Sequence, residues 1–219
     1  MSNPESFIDE VTEEVRRDRL YGLMRRWGWV AILAVLLIVG AAAWSEWTRS
    51  RAEARAEAFG DGLLTALQGE DIEARRAALA EVEGPEGDAA AILALLRAAS
   101  LSSGEEAAPE EARADLLAVG ETEGVSLVYR HLALLKAMLA GGTGDAARDA
   151  AILEDLATPG APFRPMAVEQ QALRAVAAGD TATAVTLLQA LLQDADATQG
   201  LRQRAQQLIV ALGADVEPA

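Results

Sequence analysis

The chain has 219 residues and a formal net charge of −15, with hydrophobic residues at 51%, aromatics at only 4% and no Cys. Such a surface repels phosphate backbones and anionic lipid, which argues against nucleic acid as a partner, and the missing Cys removes disulfides, thiolate metal sites and thiol nucleophiles. A core poor in aromatics must be built from Ala, Leu, Val and Ile, a palette that favours close-packed helices over strands and predicts an all-α fold.

Residues 1–26 form the first expected element, an amphipathic cytoplasmic tail. Asn3 suits an N-cap and Pro4 the first helical position, where a missing N–H costs nothing. Phe7, Ile8, Val11 and Val15 then recur at helical spacing, with Glu10, Glu13, Glu14 and Arg17 on the polar side.

The second expected element, residues 27–47, is a transmembrane helix. From Trp27 to Trp44 run 18 residues with no charged or polar side chain. At about 1.5 Å per residue this nearly covers the roughly 30 Å hydrocarbon layer. All four Trp stand at its edges, Trp27 and Trp29 at one and Trp44 and Trp47 at the other, as aromatic belts would. A secretory signal has a short basic leader, whereas the preceding 26 residues carry six acids, so the reading is an uncleaved signal-anchor. Arg16, Arg17, Arg19, Arg25 and Arg26 before the span outnumber Arg49, Arg51 and Arg55 after it. That excess sets the N-terminus in the cytoplasm and the rest of the chain beyond the membrane.

Residues 48–58 read as a solvated helical stalk, with Arg51–Arg55 and Glu53–Glu57 at four-residue spacing. Beyond it, residues 59–213 show an internal repeat. Gly-acid turns begin at Gly69, Gly104, Gly144 and Gly179, spaced 35, 40 and 35. The triplets Leu96-Arg97-Ala98, Leu135-Lys136-Ala137 and Leu173-Arg174-Ala175 mark helices 39 and 38 residues apart. Glycine closes one helix and the acid opens the next. The helices expected are 50–68, 71–82, 87–102, 107–118, 121–140, 145–157, 163–178, 180–193 and 197–212. Two helices per unit at this period predict a degenerate tetratricopeptide-like α-solenoid of about four helix pairs plus a C-terminal capping helix. Residues 214–219 are expected to be disordered.

Catalytic and cofactor chemistry finds no constellation. His131 is the only His and has no carboxylate three or four residues away, so it reads as a packed or surface-edge histidine rather than a metal ligand or base. Ser and Thr have no His partner at plausible spacing, and no glycine pattern forms a phosphate cradle. The expectation is no enzyme, no cofactor, no metal and no small-molecule substrate.

The segments FIDEVTEEVRRDRL, PFRPMAVEQQALRAVAAGD and QRAQQLIVALG, with the Trp-edged span between tail and repeats, carry a family resemblance. The chain resembles the tetratricopeptide-like relatives of the ancillary subunit of the Sec translocon, bacterial inner-membrane proteins, in their alphaproteobacterial form. The resemblance implies a periplasmic domain that serves as a protein-interaction scaffold, with translocon subunits and periplasmic chaperones or their clients as partners. It carries no catalytic residues and no mapped partner-binding residues. The alternative is an accessory or assembly subunit of a respiratory or other resident inner-membrane complex, held mainly through its span.

Overall fold

The computed structural model describes residues 4–84, 86–102 and 108–215, with side chains from Arg25 onward except at positions 28 and 31. The expected Asn3 cap, the Phe7–Val11–Val15 stripe, the side chains of Arg16, Arg17 and Arg19, the Gly104 turn and residues 216–219 lie outside the described residues.

Among the described residues every regular element is an α-helix: α1 (Pro4–Leu67), α2 (Ile72–Glu81), α3 (Asp88–Leu101), α4 (Pro109–Glu121), α5 (Leu127–Leu139), α6 (Ala146–Leu156), α7 (Arg164–Ala177), α8 (Thr181–Gln193) and α9 (Gln199–Ala211). The first boundary corrects the expectation of a short tail helix separate from the span. Tail, apolar run and stalk are one continuous helix. The reason is local: no Pro falls between Pro4 and Pro85, and isolated glycines such as Gly28 and Gly40 cost a helix only about 1 kcal/mol each. The chain divides into two compact units, Met1–Glu57 and Ala58–Ala219.

In the second unit, α2, α4, α6 and α8 begin at residues 72, 109, 146 and 181, spacings of 37, 37 and 35. From α2 to α9 each helix packs on its neighbour in the chain, and α5 also touches α3 and α7. A second correction falls between α4 and α5. The helix expected from 121 begins only at Leu127, because α4 runs on to Glu121 and Gly124 then takes φ +84°. That left-handed conformation stops a helix whatever the helix propensity of the flanking Glu residues.

Three apolar clusters hold this unit. Phe59, Leu63 and Ala66 at the end of α1 pack with Leu79 and Leu93. The largest cluster runs from α3 to α7 through Leu95, Leu116, Leu135, Leu153 and Leu156. A third joins α7, α8 and α9 through Ala172, Leu188, Leu191 and Ile209. Fully burying each Leu or Ile contributes about 1.5–3 kcal/mol. Buried Ala supplies closeness instead: Ala98, Ala133, Ala137, Ala167, Ala172, Ala184 and Ala205 are all almost completely buried. Gly120 carries this to its limit, since a Cβ there would collide with the Leu134 side chain on α5.

Candidate interaction surface

Within the first unit the apolar run has no protein cover. Trp27, Trp29, Trp44 and Trp47 are exposed, as are Ile32 to Val39 between them. The helix from Ile32 onward, near the N-terminus, is long and apolar enough to cross a membrane, and none of the apolar window is buried. Arg25 and Arg26, next to its first Trp, are exposed too. At the other edge the side chains are organised. Trp44 and Trp47 stand 5.4 Å apart, the Arg51 guanidinium lies 3.8 Å from the centre of the Trp47 ring, and Arg49 pairs with Glu53 at 2.9 Å.

Three of the four Gly-acid turns are described, and each places an aspartate as the N-cap of the following helix. Asp71 accepts from the Ala74 amide of α2, Asp145 from Ala147 and Arg148 of α6, and Asp180 from Thr183 of α8. Gly179 does two jobs. At φ +78° it ends α7 in the left-handed cap, with the Asp180 amide donating back to the Ala175 carbonyl, and it delivers the chain to the next cap. Between α5 and α6 those jobs are split, Gly141 closing α5 and Gly144, at φ +84°, preceding the cap. Gly69 needs no left-handed backbone; a Cβ there would press on the Arg75 backbone nitrogen at 2.9 Å.

Long-range arginines finish what the caps begin. Arg97 of α3 donates to the carbonyls of Leu79, Ala80 and Val82 at 2.9, 3.0 and 2.8 Å, satisfying the C-terminal end of α2. Arg130 of α5 donates to the Gly120 carbonyl at 3.0 Å, and Arg113 of α4 to Ala140 at 3.3 Å. Arg97 and Arg174 are the centres of two of the repeated triplets, yet sequence spacing alone gave them no role. For Arg97 the available signal was a lone Arg in the largely apolar α3.

Among the described residues two polar side chains, Asp149 and His131, are buried. Asp149 on α6 accepts from the Thr143 amide and hydroxyl, both at 2.7 Å, and from Arg174 of α7 at 2.9 Å. Burial pushes its carboxyl upward, but the Thr143 hydrogen bonds, joined by the hydrogen bond and charge of Arg174, hold it below the ordinary carboxylate value. Sequence reading missed this node, because residues 143, 149 and 174 meet only when α6 packs on α7. His131 on α5 is buried, which selects the packed over the surface-edge reading, and the fold gives it a carboxylate the local sequence lacked. Its Nε2 lies 3.5 Å from Asp155 Oδ2 on α6, and Nδ1 has no hydrogen-bond partner. Asp155 is itself exposed. Among the described residues no three His, Asp or Glu gather as a metal-ligand group.

Two clefts open on the N-terminal part of the second unit. One, of about 240 Å³, is apolar and lined by Leu67, Ile72, Leu79, Leu96 and Ala99. The other, of about 500 Å³, lies between Arg76 and Arg97 on one side and Glu111 and Asp115 on the other. Ser100 borders both, so an apolar slot continues into a charged one. No family model matches this chain, and it has no match among the curated proteins or the solved structures.

Proposed function

We propose that this chain is a membrane-anchored interaction scaffold. Its apolar run is a single span with the N-terminus in the cytoplasm, and the second unit is a tetratricopeptide-like α-solenoid in the periplasm of a bacterial inner membrane. The solenoid receives segments of other proteins beside the Sec translocon and its periplasmic chaperones. The observation that carries the reading is the uncovered run with Trp at both edges. Exposed Ile, Leu and Val from Ile32 to Val39, inside an uncharged run of 18 residues, are strongly disfavoured in water. Supporting it are the even spacing of α2, α4, α6 and α8, the packing of each of these helices on its chain neighbours, and the mixed apolar and charged clefts. The sequence resemblance and the Arg excess before the span supply the compartment.

Two measurements test it. Protease added to spheroplasts should digest the domain and spare a tag at Met1; a protected C-terminus would reverse the topology. A photocrosslinking residue placed at Asp115, in the charged cleft, should capture translocon subunits, chaperones or exported chains more strongly than one at exposed Glu154. Capture of redox-complex subunits instead would favour the assembly-factor alternative.

A further inference from the structure

The helical segment just beyond the apolar run carries two different faces. At 3.6 residues per turn, Trp44, Trp47, Arg51 and Arg55 fall within about 80° of one another, and Glu46, Arg49, Glu53 and Glu57 fall within about 80° on the other side. On the second face, with three Glu to one Arg, Arg49 is already paired, donating to Glu53 at 2.9 Å. On the first face the Arg51 guanidinium carbon lies over the Trp47 ring, 3.8 Å from its centre, with Trp44 leaning on Trp47 at an interplanar angle of 49°.

We propose that Trp47 and Arg51 form a binding site for the phosphate of an anionic phospholipid at this end of the span, which rests on the membrane reading above. Depth fits the assignment. Arg51 lies four residues past Trp47, a rise of roughly 6 Å, within the headgroup layer that separates a bilayer's roughly 30 Å core from its roughly 40–45 Å full thickness. Contact with the ring restricts where the guanidinium can sit, and its N–H groups suit donation to phosphate oxygens. A choline headgroup is the poorer ligand, because Arg51 already occupies the cation's place over the Trp47 ring, and because choline neutralises its own phosphate. The acidic domain beyond does not cancel this attraction. Its charge is screened over about 8 Å at physiological salt, whereas a phosphate at Arg51 is in contact.

Native mass spectrometry of the full chain, released from detergent carrying either phosphatidylglycerol or phosphatidylcholine, reads the retained lipid. Wild type should hold phosphatidylglycerol more tightly than phosphatidylcholine. Arg51→Gln should weaken phosphatidylglycerol about fivefold, in line with the attraction expected of one basic residue at an anionic surface. Trp47→Leu should weaken it by a comparable factor, since Arg51 loses the ring that restricts it. Arg49→Gln, whose guanidinium already faces Glu53, should bind as wild type does. Equal retention of the two lipids by wild type, or wild-type affinity in Arg51→Gln, overturns the site. Carbonate extraction run in parallel separates the two levels: release of wild type into the soluble fraction overturns the membrane anchor as well, whereas retention with unselective lipid binding overturns the phosphate site alone.

Discussion

Asp149 accepts three hydrogen bonds while almost wholly removed from water, and its effect on stability follows from that balance. Truncation by Asp149→Ala leaves the Thr143 amide without its acceptor and removes a hydrogen bond from the Thr143 hydroxyl and from Arg174, and should cost about 2–3 kcal/mol. Arg174→Ala should cost less, because the Arg174 side chain is 38% exposed and can solvate, and both Thr143 bonds to Asp149 survive. The carboxyl titrates lower in the folded state than in the unfolded one. Its stabilisation is therefore complete above the unfolded value of about 3.9 and is lost as pH falls below it, through the folded value. Thermal melts of wild type and Asp149→Asn should differ most near neutral pH and converge in acid; a gap that persists in acid would show that the carboxylate charge is not what matters. Gly142 guards the same node. At φ +76°, and with a Cβ that would collide with Asp149 Oδ2, Gly142→Ala should cost about 2 kcal/mol, measured by urea unfolding.

At the level of the element, α2 is the informative case. It has 10 residues, too few to stand alone in water, so its two ends and its buried Leu79 must hold it. Asp71 caps its start, and Arg97 satisfies three carbonyls at its finish. Arg97→Ala should cost about 1.5–3 kcal/mol and, more tellingly, should speed hydrogen exchange in Ala78–Val82 while leaving α8 and α9 unchanged. Uniform acceleration over the whole unit would mean Arg97 supports global packing rather than one helix end. Helix starts were legible where an aspartate caps them, at Asp71, Asp145 and Asp180, whereas the start expected at 107 falls at Pro109. The start of α5 was not legible: Glu121, Thr122 and Glu123 continue a helical composition, and only the backbone of Gly124 shows the stop.

Across the whole second unit, packing passes mainly between chain neighbours, so position along the series should decide how damage spreads. Leu135 is 2% exposed at the middle of the largest cluster, whereas Leu212 is only partly buried at the end of the last. Leu135→Ala should cost about 2–5 kcal/mol and broaden or split the melt, because nearest-neighbour interfaces on both sides lose support together. Leu212→Ala should cost less and fray only α9. Calorimetry of the full chain in detergent checks both. A Leu135→Ala melt as sharp as wild type, at nearly the same temperature, would count against a repeat array held by neighbour contacts.

The sequence by itself determined the features that depend on neighbouring residues in the chain. An uncharged run edged with Trp, helices built of Ala and Leu, and Gly-Asp punctuation all act within a turn or two, where periodicity and capping are readable. Tertiary structure alone decided which distant groups meet. Thr143 and Arg174 converge on Asp149, Asp155 comes within 3.5 Å of His131, and Arg97 reaches back to α2. Those partners lie on different helices, at separations set by loop length and crossing angle, which no local pattern encodes.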